Sequence, residues 1–133
     1  MNTNVEQMNM RCPSAVSLGA AELPDFKFEF KHHATVTPSI GDTTHGVLWT
    51  IQPADELVLD VLEGYPTYYN KQLVWVLYQG KPVEAMTYLM HKGEEPHPPS
   101  DRYYQLVAEG YKAHGLLLNQ LKFAREVALL NIS

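Results

Sequence analysis

The segment Leu59-Asp60-Val61-Leu62-Glu63-Gly64-Tyr65-Pro66 places one carboxylate, Glu63, where a helical apolar pattern gives way to turn residues. A glutamate there faces the negative end of the helix macrodipole, a poor position for a charge that only decorates a surface. Leu62 and Tyr65 flank it with apolar bulk. A half-enclosed carboxylate of this kind can take up and return a proton, the task of a general acid/base. The plain alternative is an exposed helix-end charge, with Gly64 as the residue that turns the chain. Asp60, three residues earlier, reads as a helix-surface or hydrogen-bonding carboxylate. All eight tyrosines fall between residues 65 and 111, and core packing and a pocket wall account for them equally well.

Other chemistry finds little footing. There is no glycine-rich phosphate loop, no nucleophile elbow and no His/Cys spacing of a metal site. His32 and His33 are adjacent on an extended stretch and point apart, while His45, His91, His97 and His114 sit in separate segments. No metal and no cofactor are expected. Cys12, the single cysteine, reads as a buried inert thiol, and one cysteine fits a reducing compartment. The formal net charge of −5 argues against a nucleic-acid backbone as partner. No apolar run approaches the roughly 20 residues that span a bilayer, and the first residues lack the apolar core of a signal peptide. A cytoplasmic protein of one domain, residues 1–133, is the expectation.

The elements that must position Glu63 follow from periodicity. Residues 15–23 and 26–30 read as two strands around a Pro24-Asp25 turn, the second in strict alternation. Residues 34–40 read as a short strand or edge segment, and 45–51 as an apolar strand buried on both faces. Residues 53–62 form a helix: Pro53 suits its first turn, Asp55 and Glu56 suit its dipole, and Leu57, Val58, Val61 and Leu62 share one face. Residues 71–90 form a hairpin with Gln79-Gly80-Lys81 at the tip. Residues 92–100 are loop by their prolines and charges. Ser100 then caps a helix with Tyr103, Leu106, Val107, Gly110 and Tyr111 at helical spacing, ended by Gly115. A last helix spans about 117–129, with Leu117, Leu118, Leu121, Ala124 and Ala128 inward. Five or six strands and about three helices predict an α+β fold, a small mixed sheet partly closed into a barrel with flanking helices.

The succession "RCPSA", "GVLWTI", "LDVLEGYPTYY", "MTYLM" and "PPSDRYYQLVAEGYKAHGL" resembles the γ-glutamylcyclotransferase family, the AIG2-like group, from residue 2 to about 121. The resemblance implies a small barrel-like α+β domain of transferase or lyase type. It would convert a γ-glutamyl amino acid or amine into 5-oxoproline and the free amine, without a metal. Glu63 stands where the family has its acid/base glutamate. Tyr69, six residues past Glu63, Tyr88 in the second hairpin strand and Tyr103 after Pro-Ser match family tyrosines, which makes them substrate-binding candidates. The family pattern opens with a strand ending Tyr-Gly-Ser-Asn, whose backbone amides cradle the substrate. Asn2 matches its asparagine, Met1 stands at the serine position, and the Tyr-Gly part has no counterpart. The resemblance therefore leaves a second expectation, a non-catalytic small-ligand-binding relative. It also predicts that residues 15–23, at the middle of the sheet, either border an open groove or pair with another copy of the chain in a homo-oligomer joined through the exposed sheet edge.

Overall fold

A computed structural model describes residues 2–91 and 94–132 of the chain. Met1 and residues 92 and 93 of the expected 92–100 loop lie outside the described residues. Eight elements follow one another: α1 (Val5–Arg11), β1 (Val16–Lys31), β2 (His33–Thr50), α2 (Pro53–Glu63), β3 (Tyr69–Tyr78), β4 (Lys81–Met90), α3 (Asp101–Ala113) and α4 (Asn119–Ile132). Fewer and longer strands appear than the sequence suggests, and one more helix.

The two strands expected on either side of Pro24-Asp25 are a single strand, β1. A bulge, not a turn, absorbs the irregular pair: Pro24 lies opposite Thr43 and Phe26 opposite Pro38, so residues 39–42 stand opposite Asp25 alone. Asp25 takes a positive φ of 62°, and its carboxylate accepts a hydrogen bond from the Gly41 N–H at 3.0 Å. The same device joins 34–40 and 45–51 into β2. Its 45–51 stretch is exposed to half-buried, not buried on both faces, because residues 46–51 line an open groove.

The sheet order is β2-β1-β3-β4. Every strand pairing is antiparallel, which corrects the expected mixed sheet; among the described residues the parallel contact is an isolated bridge between Lys31 and His97. No ladder joins the outer strands β2 and β4, so the expected partial barrel closure is not seen. They meet where the Met90 N–H donates to the Thr35 hydroxyl at 2.9 Å. β1 and β3, neighbours in the middle, share a single residue pair, Glu22 with Leu77.

The hairpin tip is a two-residue turn, Gln79-Gly80, with φ of 51° and 77°, the mirror-image geometry that matches strand twist. In α3 the Ser100 hydroxyl accepts the Tyr103 N–H at 3.2 Å. Helices α3 and α4 bury Tyr104, Val107, Ala108, Tyr111, Leu121, Ala124 and Ala128 against Phe28 and Phe30. Leu117, expected inward, is exposed because α4 begins only at Asn119. In α2 the expected inner face is wrong in phase: Leu57, Val58, Val61 and Leu62 are exposed, while Asp55 and Leu59 are buried. Leu59 packs on Met8, Cys12 and Ala15, and Asp55 ties α2 to the Ser14 hydroxyl at 3.0 Å and caps the Gln52 N–H at 2.8 Å. Those two anchors set which face turns inward.

The helix missed in the sequence, α1, has a local cause. The Asn4 side chain accepts the Gln7 N–H at 2.9 Å, a capping signature readable as Asn-x-x-Gln. Its entry runs across α3, where a Cβ on Gly110 would meet the Thr3 carbonyl carbon at 2.3 Å. Only glycine lets the backbones approach so closely. Thr3 and Asn4 then donate to the Val107 and Leu106 carbonyls at 3.3 and 3.1 Å.

Candidate active site

Glu63 is the last residue of α2 and is half-buried. The helix stops there for two reasons. Gly64 has φ 72°, and a Cβ on it would meet the Tyr68 ring at 2.5 Å. The Gly64 N–H donates to the Val61 carbonyl at 3.2 Å and the Tyr65 N–H to the Asp60 carbonyl at 2.9 Å, which satisfies the last turn.

Asn2 arrives from the other end of the chain. Its amide nitrogen donates to Glu63 Oε1 at 3.4 Å, and its carboxamide oxygen accepts from Arg11 Nη1 at 3.4 Å. Its main-chain carbonyl accepts from Trp49 Nε1 at 2.7 Å. The N-terminal segment is thus fixed by its backbone, with its side chain aimed at Glu63.

Tyr69 and Tyr103 grip one residue of β2 through the peptide groups on either side of it. The Tyr69 hydroxyl donates to the Ala34 carbonyl at 2.9 Å, and the Tyr103 hydroxyl accepts from the Ala34 N–H at 3.1 Å. Burial pushes both phenols above the usual tyrosine range, and the Glu63 charge pushes them further. His33 packs edge-on to Tyr103, ring centres 4.9 Å apart. Tyr88 is placed differently. Its hydroxyl donates to Asp60 Oδ1 at 2.5 Å, and Lys71 bridges Asp60 and Glu56 at 3.0 and 2.7 Å. Burial alone would raise the Asp60 carboxyl, but hydrogen bonds from Tyr88 and Lys71, with the Lys71 charge, hold it below the usual aspartate range. Burial and Asp60 together push the Tyr88 phenol up.

Asn2, Glu63, Tyr69 and Tyr88 all line one groove of about 430 Å³, which runs past Leu18, Ala21, Glu22 and Leu23 of β1. Tyr103 reaches it only through the Ala34 peptide. Arg11, His33 and Lys71 are neighbours that the sequence reading did not single out. Arg11 was missed with its helix, whose signal was the Asn4 cap; nothing local marks Lys71 or His33. Among the described residues no group of three or more His, Cys, Asp or Glu is placed to hold a metal ion. No helix there is long and apolar enough to cross a membrane.

A family model described as "Gamma-glutamyl cyclotransferase, AIG2-like" matches residues 1–111. The chain belongs to this family. Among its relatives, a γ-glutamylcyclotransferase from Bos taurus is 30% identical over 135 residues, covering 91% of this chain and 71% of its own length. A γ-glutamylcyclotransferase from Homo sapiens is 30% identical over 131 residues, covering 88% and 69%. A solved structure titled "Gamma-glutamyl cyclotransferase" superposes with a TM-score of 0.81 at 32% identity, over 91% of this chain and 80% of its own. The α+β arrangement with its four-stranded antiparallel sheet is shared with that structure. Membership of this family, with relatives so named, makes the protein an enzyme of the cyclotransferase type.

Proposed function

We propose that the protein cyclises the γ-glutamyl group of a γ-glutamyl amino acid or amine to 5-oxoproline and releases the free amine, with Glu63 as the acid/base. The observation that supports this most is the placement of Glu63: a half-buried carboxylate at a helix end, opening into a groove and touched by Asn2 from the far end of the chain. The substrate brings its own nucleophile, so the site has to fold it and move its protons. The α-ammonium gives a proton to Glu63, and the freed amine attacks the γ-carbonyl carbon to close the five-membered ring. The tetrahedral centre then expels the leaving amine as the C–N bond to it breaks and Glu63 returns the proton to that nitrogen. The second proton, which the ring nitrogen sheds on becoming the lactam N–H, passes by the same carboxylate to the freed amine, which departs as its ammonium. One carboxylate therefore serves both halves of the reaction.

Asn2, Tyr69, Tyr88 and Tyr103 are proposed substrate-side residues with unequal duties. Asn2 faces the reacting end, Tyr69 and Tyr103 fix the Ala34 backbone as one wall, and Tyr88 holds Asp60 and, through it, Lys71. A cytoplasmic site of action and self-association through a sheet edge are further parts of this proposal, the second because β1 and β3 are so sparingly paired; light scattering across a concentration series tests it. The deciding experiment is incubation of the purified protein with γ-glutamyl amino acids, followed by detection of 5-oxoproline. Its formation by the wild type and its loss in Glu63→Gln is the expected result. No 5-oxoproline from any γ-glutamyl substrate tried would sink the proposal.

A further inference from the structure

Resting on that reading, we propose that Arg11 and Glu63 are the two poles of a site for the α-amino-acid head group of the substrate, with Arg11 holding its α-carboxylate. The Asn2 side chain shows the polarity of the space between them. Its oxygen accepts from the Arg11 guanidinium and its N–H group donates to the Glu63 carboxylate, each at 3.4 Å. An α-amino acid presents the same pair of functions on the same scale, a carboxylate acceptor and an ammonium donor joined through one carbon. Arg11 and Glu63 are therefore no farther apart than two hydrogen bonds and one small polar group, a gap that such a head group can bridge.

Energetics favour the exchange. Both Asn2 contacts are long for hydrogen bonds, whereas a carboxylate on guanidinium and an ammonium on carboxylate form shorter, charge-assisted ones. The Asn2 backbone is held independently by Trp49, so only its side chain has to turn aside. This orientation also serves the chemistry. The ammonium that must lose a proton lies at Glu63, while the anchored carboxylate leaves the γ-carbonyl free to fold back on it.

Arg11 has the charge to spare. Among the described residues no carboxylate lies within ion-pair distance of it, whereas Lys71, the other cation beside α2, is already taken up by Glu56 and Asp60. The two poles also converge on one phenol: burial pushes the Tyr103 hydroxyl up, with Glu63 adding to the effect and Arg11 opposing it. A position in the last turn of α1 suits any cation, and that simpler account makes Arg11 indifferent to the substrate's carboxylate. The difference can be measured.

The test compares a γ-glutamyl amino acid with the same compound carrying an amide in place of the glutamyl α-carboxylate, by KM and kcat. Calorimetry with L-glutamate and its α-amide provides a readout that needs no turnover. The wild type is expected to prefer the carboxylate forms by about ten- to a hundredfold, the range for hydrogen bonds to charged groups. Arg11→Met and Arg11→Gln should bring that preference to near unity through KM, with melting temperatures unchanged, and Arg11→Lys should restore part of it. A preference that survives both neutral variants, or a wild type indifferent to the α-carboxylate, would overturn the assignment. Arg11-dependent glutamate binding without 5-oxoproline formation would retain this site and remove the cyclotransferase reading; turnover whose carboxylate preference ignores Arg11 would do the reverse.

Discussion

Beneath α3 and α4 the chain packs Phe30, Tyr111 and Leu121 to 1% exposure or less, whereas Leu48, Trp49, Ile51 and Tyr88 stay partly exposed around a groove of about 430 Å³. Both regions are built from aromatic and branched apolar residues, so composition does not separate them. Closure does. Two helices with small residues at the contact, Ala108, Ala124 and Ala128, settle onto one side of the sheet and close over these side chains, and the cavity of about 840 Å³ on that side lies at the rim between Phe28, Phe30 and α4. The groove is covered at its end by α1 and α2, through Met8, Cys12 and Leu59, and its middle remains open. Filled space stores stability; open space bordered by Glu63, Asn2 and Tyr69 can admit a substrate.

The polar groups differ in the same sense. In the helical region the Tyr111 hydroxyl is tightly engaged with the His45 carbonyl and Gln120. In the groove Asn2 makes long contacts that a ligand can replace. Variants in the first region should therefore change melting and leave the rate of the folded enzyme alone, and those in the second should do the opposite.

Phe30→Ala should produce the largest effect, a loss of about 3–5 kcal/mol in chemical-denaturation stability, with normal kcat well below the melting temperature. A loss under about 1 kcal/mol would mean that the helical side repacks freely and that the contrast with the groove is weaker than the packing suggests. Glu63→Gln comes next. Formation of 5-oxoproline should fall by roughly two orders of magnitude or more while the thermal melt stays put; a near-normal rate would move the proton transfer to another group.

Tyr69→Phe and Tyr103→Phe blur the boundary, because their hydroxyls hold the Ala34 backbone. Each should lower stability by about 1–3 kcal/mol, the cost of leaving a buried carbonyl or N–H without its partner, and should lower kcat/KM along with it. A fall in kcat/KM at unchanged stability would show hydroxyls that act on substrate directly, without passing through the strand. The smallest effect concerns Asp60. Its carboxyl titrates lower in the folded chain than in the unfolded one, so its contribution is complete above the ordinary aspartate value of about 3.9 and fades as pH falls through the lowered value. In Asp60→Asn, denaturation midpoints between about pH 2 and pH 6 should decline less steeply on the acid side. An identical acid limb would mean that Tyr88 and Lys71 do not favour the charged form.

By itself the sequence determined the features that depend on a few neighbouring residues. Pro53 and Asp55 start α2 and Gly64 ends it, Gln79-Gly80 turns the hairpin, and Ser100 caps α3, because each works through local φ/ψ preference or a hydrogen bond to a backbone group nearby. The position of Glu63 at a helix end was legible for the same reason. The Asn4 signal for α1 was present too, masked by a short helix without apolar periodicity. Tertiary structure alone decided that Pro24-Asp25 bulges within a continuous strand, since a partner strand on both sides of the irregularity outweighs the local turn tendency. It alone turned Leu57 and Val61 outward, through contacts that Asp55 and Leu59 make with distant residues. It also joined Asn2 to Glu63 across 61 positions of sequence, and brought Arg11 to the other end of the Asn2 side chain. That meeting depends on Gly110 letting Thr3 lie against α3 and on Trp49 holding the Asn2 carbonyl, contacts between segments whose proximity no local preference encodes.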